Sequence, residues 1–393
     1  MSDAGPASRA DFTSALATEA ANGLRTLLVA PLGAGKTHGL GAIRGVLHRA
    51  RVPLLPLDLF TAASTPERLL AILAESLAPF LPEDEALAIR DLATEGSLDR
   101  HQSSGALLRL FDLLALRGRP LPFVWLIDEV TEIRSLAYFP GLLEIEAPFA
   151  RALTNARGAV LTSSYPGLAA TLFPDFAIRA LPGLHADDIR ATRVGGSVSR
   201  TDIASAIDWT KGHAASLLSL LADTEGTRDA ARSLARLLRP EAPLEALARR
   251  QYEVLLMRSR GYAVCKRAAE AVAAAPGRRL TDLFREIGRT PGASRQYLRW
   301  LVEVGLLSQT GKRYDFADPI VGLWASLYLG RADQPEDTEI AERTAEWIAR
   351  ASDKDGALEA QAPPPEIPEV EAEAVPEATP LAKRRPDRFE EFD

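Results

Sequence analysis

One stretch of the sequence has the residue types and spacing of phosphate chemistry: Ala30-Pro-Leu-Gly33-Ala-Gly35-Lys36-Thr37. It fits the pattern G-x-x-x-x-G-K-[ST], with Ala30 in place of the first glycine. Gly33 and Gly35 free the backbone to turn N–H groups toward phosphate oxygens. A helix starting near Lys36 adds the positive end of its dipole. Pro31, Leu32, Gly33, Ala34, Gly35, Lys36, Thr37 and His38 would then form a nucleotide cradle. Lys36 would reach the β- and γ-phosphates, and the Thr37 hydroxyl would ligate Mg2+. Ala30 ends a strand and needs only ordinary dihedrals, so the departure from glycine is tolerable.

Phe123-Val-Trp-Leu-Ile-Asp128-Glu129 supplies the matching acids. An apolar strand ending in two carboxylates delivers them to the edge where open α/β sheets bind ligands. Asp128 is expected to hold the Mg2+ shell, through water, and Glu129 to polarise the attacking water. Lys36 and Glu129 are thus the candidate catalytic pair for hydrolysing a bound nucleoside triphosphate, ATP giving ADP and phosphate. A third strand ends in Leu161-Thr162-Ser163-Ser164. A hydroxyl of Thr162 or Ser163 is a candidate contact for the γ-phosphate or the lytic water; a turn or helix cap explains the same residues.

These residues need a sheet to hold them. Short apolar runs at 25–30, 52–57, 123–128 and 158–162 read as strands, those at 25–30 and 158–162 as buried ones, and 176–180 is a candidate fifth. They alternate with helical patterns at 36–49, 66–79, 85–94, 102–117 and 145–155. That alternation implies a parallel sheet sandwiched by helices. After residue 183 the strand pattern stops, and helices at 185–192, 201–208 and 212–223 suggest a lid. Helices at 244–258, 262–274, 279–287 and 293–304, then a hairpin with Gly311 in its turn, read as a winged helix. The expected divisions are a helical segment at 1–24, an ATPase core at 25–183, a lid at 184–240, a winged helix at 241–330 and a mostly disordered tail at 331–393.

Composition narrows the alternatives. The chain has 393 residues with a single Cys265 and five scattered His, which excludes a disulfide scaffold and a Cys- or His-based zinc site. The N-terminus has no basic region followed by an apolar stretch, and the longest uncharged run, Gly158 to Pro174, is broken by Pro166 and Gly167. A cytoplasmic protein with no membrane partner is expected. The net charge of −7 is uneven: residues 331–393 carry −10 and the remainder +3. Residues 357–380 hold six Glu, six Pro and no basic residue, a composition that cannot bury a core. Phe389 and Phe392 at the chain end resemble a linear docking peptide.

The phosphate loop, the L-I-D-E strand, the L-T-S-S strand end and Tyr314-Asp-Phe-Ala-Asp318-Pro-Ile-Val-Gly-Leu-Trp324 together resemble the archaeal-type ATPases over residues 20–330. These are AAA+/STAND-related P-loop proteins with a C-terminal winged helix. The resemblance implies ATP and Mg2+ binding, with hydrolysis that is often slow or switch-like. Two departures stand out. Related lids open with a sensor Arg or with Gly-x-Pro; here Lys211-Gly212-His213-Ala214 has no Arg, and Ala replaces Pro. No arginine finger is identifiable: Arg179, Arg190 and Arg193 are candidates, and surface solvation is the better account of each. The oligomeric state stays open.

Residues 241–330 carry a net charge of +5. Leu298, Leu301 and Val302 would form the apolar face of the recognition helix, leaving Arg295, Gln296 and Arg299 for a DNA groove, with phosphate contacts from Arg289, Lys312 and Arg313. Winged helices also dock proteins. The sequence therefore describes an ATP-dependent switch that repositions a winged helix toward a partner. A DNA-associated factor under ATP control and a non-hydrolysing adaptor recruiting through its tail are the alternatives.

Overall fold

The computed structural model describes residues 8–96, 100–190, 192, 194 and 196–354. Five strands, β1 (Arg25–Val29), β2 (Leu54–Asp58), β3 (Leu121–Asp128), β4 (Ala156–Ser163) and β5 (Ala177–Ala180), form a sheet of order β2-β3-β4-β1-β5. Every pairing in it is parallel. Strands β3 and β4 are buried along almost their whole length, as continuous apolar runs require in a sheet covered on both faces. Side-chain alternation divides β3 between two cores. Val124 and Leu126 face helices α1 (Arg9–Ala21) and α2 (Lys36–Arg49), with Leu16, Ile43 and Leu47. Phe123, Trp125 and Ile127 face the opposite layer, with Leu69, Phe111 and Phe149 from helices 66–77, 100–115 and 146–154.

Helix α1 sits unusually close to the sheet. A Cβ on Gly158 would come within 2.1 Å of the Ala20 carbonyl oxygen, so only glycine lets α1 lie on β4 at this distance.

The chain continues through helices 186–190, 200–210, 214–227 and 230–237, the last of which the sequence patterns miss. Helices 243–258, 262–274, 280–287 and 291–303 follow close to their expected bounds. Strands β7 (Leu307–Thr310) and β8 (Arg313–Phe316) pair antiparallel across Gly311-Lys312. Gly311 has φ +60°, the left-handed value that a II′-type hairpin assigns to its first central residue. A short strand β6 (Arg278–Arg279) adds to β8, giving the order β6-β8-β7. Helix 319–328 then packs Trp324 against Tyr252 of helix 243–258, with ring centroids 5.2 Å apart. One apolar cluster joins Trp209, Leu217, Leu234, Leu255, Leu301 and Trp324.

One expectation needs correction. The tail was to begin at 331, but helix 337–354 extends the folded chain, with Ile340 fully buried and Trp347 and Ile348 packed against the same cluster. Spacings of seven and eight residues put all three on one helical face. Ion pairs from Arg239 to Asp337 and from Arg331 to Glu339 pin its first turn. The rest of the tail, including 357–380 and the terminal Phe peptide, lies outside the described residues, as does Arg193. None of the described helices is long and apolar enough to cross a membrane.

Candidate functional site

The phosphate loop runs from the end of β1 to the start of α2, and its polar backbone is sorted by direction. Gly33 and Gly35 adopt φ of +84° and +94°, values that side chains with a Cβ rarely take. The loop's carbonyls are each claimed by another group. Lys36 Nζ donates to the oxygens of Ala30 and Pro31, both at 3.1 Å. His213 Nε2 lies 2.8 Å from Leu32 O, the Ala215 amide donates to Gly33 O at 3.1 Å, and Arg9 Nη1 donates to Ala34 O at 2.8 Å. Most of the amides are left over; Ala34 donates within the loop, to Pro31 O at 3.2 Å. Gly39 makes the first intrahelical bond, to Gly35 O, so Lys36, Thr37 and His38 carry unpaired first-turn N–H groups. The Gly33 and Gly35 amides likewise donate to no protein acceptor among the described residues. A loop with its acceptors consumed and most of its donors free is built for an anion.

The carboxylates come from the end of β3. Strand β4 lies between β3 and β1, so the ends of all three strands meet beside the loop. Asp128 accepts from Thr37 Oγ1 at 2.6 Å and from Thr162 Oγ1. Glu129 lies 3.2 Å from Lys36 Nζ. It has φ +49°, a strained backbone for a non-glycine residue, of the kind that concentrates at functional sites. Its amide donates to Thr162 Oγ1 at 3.0 Å.

Of the hydroxyls expected at the third strand end, Thr162 joins the site and Ser163 does not. Ser163 Oγ is buried between Thr131 Oγ1 and the Tyr165 amide, on the opposite face of β4. Ser164, two residues beyond Thr162 and back on the same side, makes the contact instead. Its Oγ accepts from Lys36 at 2.7 Å and donates to Glu129 Oε1 at 2.6 Å, while its amide donates to Glu129 Oε2 at 2.9 Å. Pro31, Gly33, Thr37 and His38 are exposed along the loop, and Lys36 is buried.

Two further residues escape the sequence patterns. Arg9 opens α1, is buried, and bonds Pro182 O through Nε as well as Ala34 O. Burial lowers its pKa, and Asp188, which accepts from the Arg9 amide, works against that shift. His213 caps helix 214–227, its Nδ1 accepting from the Ser216 amide, which leaves the proton on Nε2 for Leu32 O. Of the finger candidates, Arg179 pairs with Glu19 and Arg190 with Asp187, all on exposed or half-exposed side chains.

A Gly-Lys-Thr loop between strand and helix, in a parallel sheet of this order with an acidic pair ending β3, defines the P-loop ATPase fold. A solved structure of a Walker-type ATPase of Pyrococcus abyssi is similar over 80% of this chain and 94% of its own, with a TM-score of 0.56 at 19% identity. Cdc6p from Pyrobaculum aerophilum aligns over 87% of this chain and 92% of its own, with a TM-score of 0.37 at 14% identity, a likeness too loose to bear on the argument. No protein-family model matches the sequence, and a search of curated proteins gives no match. The resemblance to archaeal-type P-loop ATPases that the sequence suggests therefore holds at the level of the fold.

Proposed function

We propose that this chain binds ATP with Mg2+ on the loop at residues 31–38 and works as a nucleotide-dependent switch for its C-terminal module. The carrying observation is the sorted loop, with carbonyls engaged, the amides of Gly33 and of Gly35 through His38 free, and Lys36, Thr37, Asp128 and Glu129 converging beside it. The donor set suits the ion: one hydroxyl and one carboxylate 2.6 Å apart are hard oxygen ligands that leave positions for phosphate and water. Among the described residues no cluster of three His, Cys, Asp or Glu forms an all-protein cage, which also fits an ion shared with phosphate. Bound to Thr37 and Asp128, Mg2+ would supply charge neutralisation on the phosphates.

The protein's own groups divide the remaining work. Free loop amides bind the phosphate oxygens. Lys36 leaves Glu129 and Ser164 to reach the triphosphate, and Glu129, oriented by the Ser164 amide and hydroxyl, accepts a proton from water. Residues 241–330 serve as a winged-helix module above a lid at 184–240. Docking to a protein is the better-supported use of that module. Arg299 is engaged by Glu303, Arg313 by Gly277 O and Arg289 only at 3.5 Å by Gly288 O, which leaves Arg289, Arg295, Gln296 and Lys312 as a thin surface for duplex DNA.

Isothermal titration of full-length protein with ATP and Mg2+ tests the reading. Lys36→Ala is expected to abolish binding, and Glu129→Gln to keep binding while phosphate release stops. Equal ATP affinity in wild type and Lys36→Ala would overturn it.

A further inference from the structure

His213 holds a carbonyl of the phosphate loop through one ring nitrogen, yet the ATPase reading gives the other, Nδ1, no task. Its Nε2 holds Leu32 O at 2.8 Å, while its Nδ1 lies 2.9 Å from Ser216 Oγ and 3.9 Å from Asp318 Oδ2. The His213 and Asp318 side chains are only 6% and 5% exposed.

Asp318 is the N-cap of helix 319–328. Its Oδ1 accepts from the amides of Ile320 at 2.8 Å and Val321 at 3.4 Å. Its Oδ2 is buried and has no hydrogen-bond partner among the described residues. A buried carboxylate oxygen without a donor is costly, and capping does not need it, because Asn or Ser caps a helix as well as Asp. What remains unexplained about Asp318 is its second, charged oxygen, and that oxygen faces His213. The gap is about 1 Å longer than a hydrogen bond, within the reach of a small rotation of the imidazole. His213 therefore stands between two acceptors, one on the phosphate loop and one at the head of the C-terminal helix.

We propose that His213 and Asp318 are positioning residues that couple the phosphate loop to helix 319–328. Phosphate drawn to the loop amides turns the Leu32 peptide and weakens its carbonyl bond to His213. The freed imidazole, its proton passed by solvent exchange from Nε2 to Nδ1, releases the Ser216 amide, closes on Asp318 Oδ2 and resets the helix cap. Coupling of this kind is reciprocal, so Asp318 must in turn influence nucleotide affinity. The inference rests on the nucleotide reading above and extends it to the route by which the site reports outward.

Hydrogen exchange of full-length protein, with and without ATP and Mg2+, provides the test, run on wild type, His213→Gln and Asp318→Asn. The Gln amide retains a donor for Leu32 O, and Asn retains the helix cap. In wild type, ATP is expected to change exchange in the 319–328 peptide. Both variants are expected to keep binding ATP, to lose that exchange response, and in Asp318→Asn to bind ATP about 5-fold or more weakly. An unchanged wild-type peptide despite ATP binding, or a response that persists in either variant, overturns the coupling and leaves the nucleotide reading intact. Failure of wild type to bind ATP ends both. Should His213→Gln not fold, Asp318→Asn carries the test.

Discussion

Ser164 bridges the two charged groups on which turnover would depend. Its hydroxyl accepts from Lys36 and donates to Glu129, and its amide donates to the second Glu129 oxygen. Ser164→Ala removes one of two bonds orienting the carboxylate but leaves the loop amides and Thr37 untouched. A hydrogen bond to a charged group contributes about 1.5–3 kcal/mol, so steady-state phosphate release is expected to slow by roughly tenfold or more, with KM for ATP nearly unchanged. At this scale the sequence is legible where chemistry is consecutive. Gly33 to Thr37 and Asp128-Glu129 announce themselves because loop and strand end each gather the proposed site into adjacent residues. Ser164 does not, because Thr162, Ser163 and Ser164 all carry hydroxyls, and only the register of β4 decides which of them face the loop. Arg9 and His213 stay hidden for a related reason. Each acts on a loop carbonyl contributed from 25 or more residues away, and a carbonyl leaves no mark in sequence.

Secondary elements with one dominant signal emerge close to their expected bounds. Strands β1, β3 and β4 are built around unbroken apolar runs at 27–29, 123–127 and 158–161, and helices 243–258 and 262–274 show a clear periodicity. Helix 337–354 is obscured because its core contacts, Ile340, Trp347 and Ile348, are spread among Asp, Glu and Arg in an acidic region. The two-residue strand β6 is too short for any period, and only its pairing with β8 reveals it. The buried Ile340 makes the first of these differences measurable. Ile340→Ala opens a cavity between helix 337–354 and the cluster holding Trp324, at a cost of about 2–5 kcal/mol. Denaturant unfolding should show this loss, and hydrogen exchange should locate its onset in residues 337–354.

Across the whole molecule, the C-terminal module leans on the proposed catalytic end of the sheet. Gly167, just beyond Ser164, is so close to residue 303 that a Cβ would lie 2.9 Å from the Glu303 Cα. Arg258, closing helix 243–258, donates to both Glu132 oxygens at 2.8 and 2.9 Å, and its guanidinium sits 5.5 Å from the centroid of the Tyr165 ring. Glu132 follows Glu129 by one short turn, and Tyr165 follows Ser164 directly, so this one arginine clasps both segments that supply the carboxylate and its orienting serine. Arg258→Ala leaves the buried Glu132 without its cation, which should destabilise the protein by about 1–3 kcal/mol. Removing the charge as well, in Arg258→Ala with Glu132→Gln, should recover part of that loss, since Gln tolerates burial without a counter-ion. A double-mutant cycle of unfolding free energies separates this clasp from simple surface solvation of Arg258. Coupling above about 0.5 kcal/mol places the pair in the structural link between site and module, and additivity denies it.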